Sequence, residues 1–155
     1  MFSNHNNKDI ARRLIEEGFN KQDLHIVDDL VTTDALTHDT QTPIVIGKGP
    51  EGLKRSMQPY MAAFPDAKLT IEREVSEGDY VVQFVRTRGT QTGGLPGVPA
   101  TNKKTDVTGI ITSKFKDGKI VETWSLFDQL GLMQQLGVVP LPDVTKTPEL
   151  VAASR

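Results

Sequence analysis

Cysteine is absent from the 155 residues, and with it go disulfides, thiolate metal sites and a cysteine nucleophile. Histidine is scarce: His5, His25 and His38 are widely spaced and have no ligand-like partners at helical or hairpin offsets, so no metal is expected. No long run of one charge sign occurs. The 18 basic and 20 acidic residues leave a formal charge of -2 without a phosphate-tracking basic face, which argues against a nucleic-acid partner. No apolar run approaches the roughly 20 residues that a membrane helix needs, and the opening MFSNHNNKDIARRL is too polar for a signal peptide. These absences predict a soluble, cytoplasmic protein without a membrane partner. GTQTGG falls between strands rather than before a helix, which removes it as a nucleotide fingerprint.

What is present suffices for one globular domain, expected over 1–140 and followed by an extended tail over 141–155, with three prolines, Pro140, Pro142 and Pro148, in the segment after Gly137. Ile10, Ala11, Leu14, Ile15 and Phe19 recur at helical spacing, with Arg12, Arg13, Glu16 and Glu17 on the other face. Asp23 can cap a shorter helix burying Leu24, Val27 and Leu30. The Thr-rich segment from Ala35 to Ile46, which holds His38, reads as a weak strand and a loop. From Glu51, the residues Leu53, Met57, Tyr60, Met61 and Phe64 mark a third helix that Pro59 should kink or split.

Strand patterns follow at Lys68 to Val75, Tyr80 to Gln91, Lys104 to Phe115 and Lys119 to Leu126. Short connections at Glu77-Gly78-Asp79 and Lys116-Asp117-Gly118 predict antiparallel neighbours. The turn-rich loop from Thr92 to Asn102 displays Leu95 and Val98, either over a pocket mouth or packed on the core. Helices first and strands afterwards point to α+β, with helices on one face of a curved antiparallel sheet.

Alternation on the last strand puts Trp124, Leu126 and Asp128 on one face, so Asp128 is either a base among apolar neighbours or the N-cap of the helix that Leu130, Leu132, Met133 and Leu136 mark. On the strand from Tyr80, alternation assigns Val81, Gln83, Val85, Thr87 and Gln91 to the interior, which makes Gln83, Thr87 and Gln91 candidate polar liners. Arg86 and Arg88 then point outwards beside Val82 and Phe84, a face suited to a homodimer or to solvent. Met57 and Tyr60 either enter the pocket or serve the core. His38 is a candidate for orienting a carbonyl or sharing a proton with Asp128, or is a satisfied histidine without a role.

The GFNKQDL turn, the GPEGLK helix start, the RGTQTG and LPGVPAT hairpin segments, and DGKIVETWSLFDQLGLMQQLG together resemble the SnoaL-like polyketide cyclase family over about residues 8–140. The resemblance implies the cone-shaped α+β barrel shared with nuclear transport factor 2, ketosteroid isomerase and limonene epoxide hydrolase. It also implies an intramolecular aldol ring closure on a polyketide ester without metal or organic cofactor, with the family's catalytic aspartate falling on Asp128. Such chemistry needs a base beside one carbonyl and an acid at another, and apolar walls that strengthen a carboxylate as a base. A non-catalytic binding protein of the same fold is the rival reading, and an epoxide hydrolase, which would need an inward arginine and a second inward carboxylate, ranks below it.

Overall fold

The computed structural model describes residues 4–39, 44–143 and 145. Most of the tail expected over 141–155 lies outside them.

The helical first segment begins earlier than its apolar pattern. Helix α1 spans Asn4–Arg13 and runs into a wider π-helical stretch, Leu14–Asn20, before the short α2, His25–Leu30. The N-cap is Leu24, without a side-chain cap bond, rather than the expected Asp23, which stands one residue earlier with its Oδ1 accepting from the His25 N–H at 3.1 Å. The chain then enters strand β1, Val31–Asp39, and a strand that the sequence reading had as loop, β2, Ile44–Lys48. Helix α3, Gly49–Ala63, stays a single element through Pro59 rather than splitting. Pro59 and Arg55, whose carbonyl loses its helical donor, are both exposed, so water can replace the missing N–H.

Strands β3 (Lys68–Glu77), β4 (Tyr80–Thr90), β5 (Lys104–Lys116) and β6 (Lys119–Phe127) follow, then α4, Gln129–Gln135. The six strands form one sheet in the order β2-β1-β6-β5-β4-β3, antiparallel throughout except where β1 runs parallel to β6. At the β5–β6 turn Asp117 and Gly118 take φ of 51° and 75°, the left-handed pair that a two-residue hairpin of matching twist requires.

The sheet curls around the helices as a cone-shaped α+β barrel. Val27 and Ile120, both fully buried, join α2 to β6 within a core that also holds Leu30, Leu53, Val81 and Phe115. Each such side chain contributes about 1.5–3 kcal/mol by leaving water. A second cluster packs the end of α3 (Ala63, Phe64) against α4 (Leu132, Leu136) and Val98. Gln135 clamps α4 to β5: its amide accepts from the Asp106 N–H at 2.7 Å and donates to the Asp106 carbonyl at 3.0 Å.

Two β-bulges set which side chains face inwards. In β3 the register slips at Glu72, between Ile71 and Arg73, so Leu69 and Ile71 are followed on the inner face by Glu74 rather than Arg73. In β6 Val121 is the extra residue: Phe115 pairs with Ile120 and Lys114 with Glu122. The inner face therefore passes from Ile120 to Thr123, Ser125 and Phe127, since a bulge re-aims the chain by one residue. Strand β4 pairs with β5 without irregularity and keeps simple alternation. No helix among the described residues is long and apolar enough to cross a membrane.

Candidate functional site

Between the inner face of the sheet and the helices lies a cavity of about 180 Å³. Its walls are mainly apolar, with Ile15 and Phe19 from the π-helical stretch, Met57 from α3, Phe64 just past its end, Ile111 from β5 and Phe127 from β6. Ile15 and Phe19, four residues apart, share the cavity-facing side of this π-helical stretch, a local widening often found at functional sites. Gly18 lets this segment approach closely, its missing Cβ lying 3.3 Å from Ile26 Cγ2.

The polar lining has two parts. At the inner end are Thr37, Gln83 and Thr123, all buried, with Ser125 half-buried, while the half-buried Thr87 lies further along β4, opposite Val107. Thr37 of β1 pairs directly with Thr123 of β6, so the two hydroxyl residues are neighbours. At the mouth are Tyr60, 37% exposed, with Gln129 and the exposed Asp128. The Gln129 amide donates to Tyr60 Oη at 2.8 Å, tying the first turn of α4 to α3 across the opening.

Asp128 stands just past the end of β6, with φ -71° and ψ 78°, and its direction no longer follows strand alternation. Its N–H donates to the Thr108 carbonyl at 3.1 Å, and its Oδ1 accepts from the Gly131 N–H at 2.8 Å. Asp128 is thus the N-cap of α4 and borders the cavity as well. One acceptor site serves the cap, and an ionised carboxylate has about four. It is exposed at the mouth, in contrast to the expected burial between Trp124 and Leu126.

Several expected liners stand elsewhere. Leu126 is 48% exposed on the outer face, because the bulge in β6 turns Thr123, Ser125 and Phe127 inwards in its place. Trp124 borders the cavity, but its ring stacks on His38 at 5.2 Å and lies 6.3 Å from Tyr80, a cluster on the outer face. His38 Nε2 is 2.7 Å from Glu122 Oε1, in the same cluster, and faces away from the cavity and from Asp128. Gln91 is fully buried yet outside the cavity: its Oε1 accepts from the Thr101 N–H at 3.1 Å and from the Thr101 hydroxyl at 2.7 Å, which fixes the β4–β5 loop. Leu95 packs against the second core cluster beside Val98, and the loop is fastened to α3 by a bond from the Gly93 N–H to the Ala63 carbonyl at 3.0 Å. The loop is therefore packed on the core. Met57, Tyr60, Gln83 and Thr87 do border the cavity.

Thr37, Thr123, Ser125 and Gln129 border it too, without having been singled out from the sequence. Only the β6 bulge could have revealed Thr123 and Ser125. Glu74 is a further addition: its side chain is 6% exposed, its Oε2 accepts from Gln83 Nε2 at 2.8 Å, and its Oε1 lies 2.8 Å from Arg12 Nη2. That last contact is an ion pair without an aligned hydrogen bond, since Oε1 has no hydrogen-bond partner by angle.

On the outer face Arg86 holds Asp106 with bonds of 2.6 and 2.8 Å, and Arg88 adds one of 3.0 Å. Hydrogen bonds from Arg86 and then Arg88 lower the Asp106 carboxyl from 3.8 to about 2. Both arginines thus point outwards and are occupied there. Among the described residues no group of three or more His, Asp or Glu side chains could hold a metal ion.

A family model described as SnoaL-like polyketide cyclase matches residues 9–136. No curated protein matches the chain. Among solved structures, IdmH, a candidate polyketide cyclase from Streptomyces antibioticus, is 32% identical with a TM-score of 0.73, over 85% of this chain and 99% of that one. A candidate SnoaL-like polyketide cyclase from Jannaschia sp. CCS1 is 24% identical with a TM-score of 0.81, over 88% and 95%. AclR, a candidate hydroxylase from Streptomyces galilaeus, is 22% identical with a TM-score of 0.82, over 98% and 94%. The latter two are likenesses of fold.

Proposed function

The chain belongs to the SnoaL-like polyketide cyclase family, and from that membership we propose that it is a cofactor-independent cyclase or isomerase of a polyketide-like or other apolar carbonyl compound, with Asp128 as general acid and base. The observation that carries this reading is a carboxylate at the rim of an apolar-walled cavity, held in place by a cap bond that uses one of its oxygens.

In the reaction the Asp128 carboxylate removes a proton next to one carbonyl. The resulting enolate carbon bonds to a second carbonyl carbon, and the alkoxide formed there takes the proton back from the carboxyl. Protons and charge balance without a further reactant. An apolar ligand filling the mouth would shield Asp128 from water, so the desolvation expected of a buried aspartate would come with substrate instead of from the fold. Enolate charge would be spread by conjugation within the substrate and met by hydroxyl donors of the lining.

The cap bond also suits a protein that binds without chemistry. Epoxide hydrolysis is less suited, because Arg86 and Arg88 are engaged by Asp106 outside the cavity. Asp128→Asn separates the first two, since asparagine still caps but cannot shuttle a proton. With an aryl β-keto ester bearing a second ketone as probe, the variant should lose about 100-fold or more in turnover while keeping its melting temperature and its affinity for the probe. Turnover at the wild-type rate would refute Asp128 as acid and base. We further propose a homodimer through the outer face, where Val75, Tyr80, Phe84 and Leu126 are exposed together.

A further inference from the structure

The inner end of the cavity carries polar groups that the proton transfer at its mouth does not use. Gln83 is 2% exposed and borders the cavity, and its Nε2 is committed to Glu74. An ionised carboxylate only accepts hydrogen bonds, so Glu74 fixes which way round the Gln83 amide lies. What Gln83 can offer the cavity is then its carbonyl oxygen, an acceptor. The β3 bulge that turns Glu74 inwards and the Arg12 guanidinium that pairs with it hold this arrangement from behind.

Ser125 of β6 stands across β5 from Gln83, and at the next inward position on β6 the Thr123 hydroxyl is buried without any hydrogen-bond partner, the residue being 6% exposed. It too borders the cavity. Buried hydroxyls without partners are rare in native proteins, and one on a cavity wall is a group awaiting a ligand atom or a water. Thr37, its neighbour on β1, does not satisfy it.

We infer that the inner end of the cavity is a two-point subsite for an oxygenated ring compound, with a ligand hydroxyl donating to the Gln83 carbonyl oxygen and a second ligand oxygen meeting the Thr123 hydroxyl. Glu74 is a positioning residue that acts through Gln83. The ligand class is an apolar fused-ring or ring-forming compound bearing a phenolic or enolic hydroxyl at its leading end. This rests on reading the cavity as the ligand site, and not on Asp128 turning the ligand over.

Naphthalene, 2,6-dimethoxynaphthalene and 2,6-dihydroxynaphthalene, titrated calorimetrically, test it. The dihydroxy compound should bind about tenfold more tightly than the dimethoxy compound, which can accept but not donate. In Glu74→Gln the neighbouring amide can donate or accept, Gln83 is free to turn over, and the ratio should fall to within about threefold. Gln83→Met should bring it to about the same value by removing the acceptor. Thr123→Val should weaken the dihydroxy compound several-fold without lowering the melting temperature of the unliganded protein, whereas a purely structural hydroxyl would lower it. Equal binding of dihydroxy and dimethoxy compounds by the wild type, or an unchanged ratio in Glu74→Gln, overturns the inference and leaves the cavity reading intact. If none of the three compounds binds, both fall.

Discussion

Gly109→Ala tests how Phe127 is held in the cavity wall. The two residues are paired across β5 and β6, and a Cβ at Gly109 would sit 2.7 and 2.9 Å from Phe127 Cε1 and Cγ and closer still to Cδ1. Carbon atoms rest at about 3.5–4.0 Å, so the ring would have to retreat by roughly 1 Å, towards the cavity that it borders. Overpacking of this kind typically costs about 1–3 kcal/mol. Against it stands a gain of about 0.4–1 kcal/mol from restricting the unfolded chain, because Gly109 has no left-handed φ to forbid alanine. The net expectation is a loss of about 1–2 kcal/mol, which for a chain of this length is a fall in Tm of about 2–8 °C. Guanidinium denaturation followed by circular dichroism should show a lower midpoint at an unchanged slope. The decisive control is Phe127→Ala: with the ring gone, Gly109→Ala should become stabilising by about 0.4–1 kcal/mol. A destabilisation of the same size in both backgrounds would refute the ring contact as its cause.

The Asp106 cluster makes acid stability predictable in sign. Its carboxyl is lowered from 3.8 to about 2 in the folded protein, so its contribution is present above about pH 4 and is lost as the pH falls towards 2. Asp106→Asn should therefore flatten the pH dependence of the denaturation midpoint across that interval, and the effect should shrink in high salt because the cluster is exposed. An unchanged slope would dismiss it. For the dimer proposed through the outer face, sedimentation should give twice the 17.1 kDa of one chain, and Leu126→Glu should return it to one. A wild-type monomer at high micromolar concentration would end that proposal.

The parts legible from sequence are those governed by local chemistry. Asp117-Gly118 fixed a hairpin because few residue pairs accept two left-handed conformations in succession. The inner set Val81, Gln83, Val85 and Thr87 followed from alternation because β4 meets β5 in unbroken register. Alternation also kept Trp124 and Leu126 together on β6, yet Leu126 is exposed outside and the Trp124 ring stacks on His38 although the residue borders the cavity, since an extra residue at Val121 shifts everything after it and no sequence pattern marks the bulge. Their hydrophobicity compounded the error, because this sheet carries apolar side chains on both faces. Strand β2 was missed for a different reason: five residues paired only to β1 have a weak local signal, and their partner is itself placed by a parallel, non-local pairing with β6.

Asp128 shows why the cap and the chemistry need not compete. Strand alternation stops one residue before it, so its direction is set by the first turn of α4, where the Gly131 N–H takes one carboxylate oxygen. A Cβ on Gly131 would overlap that carboxylate, so the glycine is what allows the group to fold back so closely. Asp128 and Gly131 therefore work as a unit three residues apart, with Gln129 between them reaching Tyr60 across the mouth. The cap restricts the rotamer of a carboxylate that would otherwise be free at an exposed rim, and a fixed base beside an apolar opening needs less ordering when substrate arrives. On this reading the structural role of Asp128 is a precondition of its proposed chemical one, and the sequence feature that carries both is Asp128-x-x-Gly131 rather than the aspartate alone.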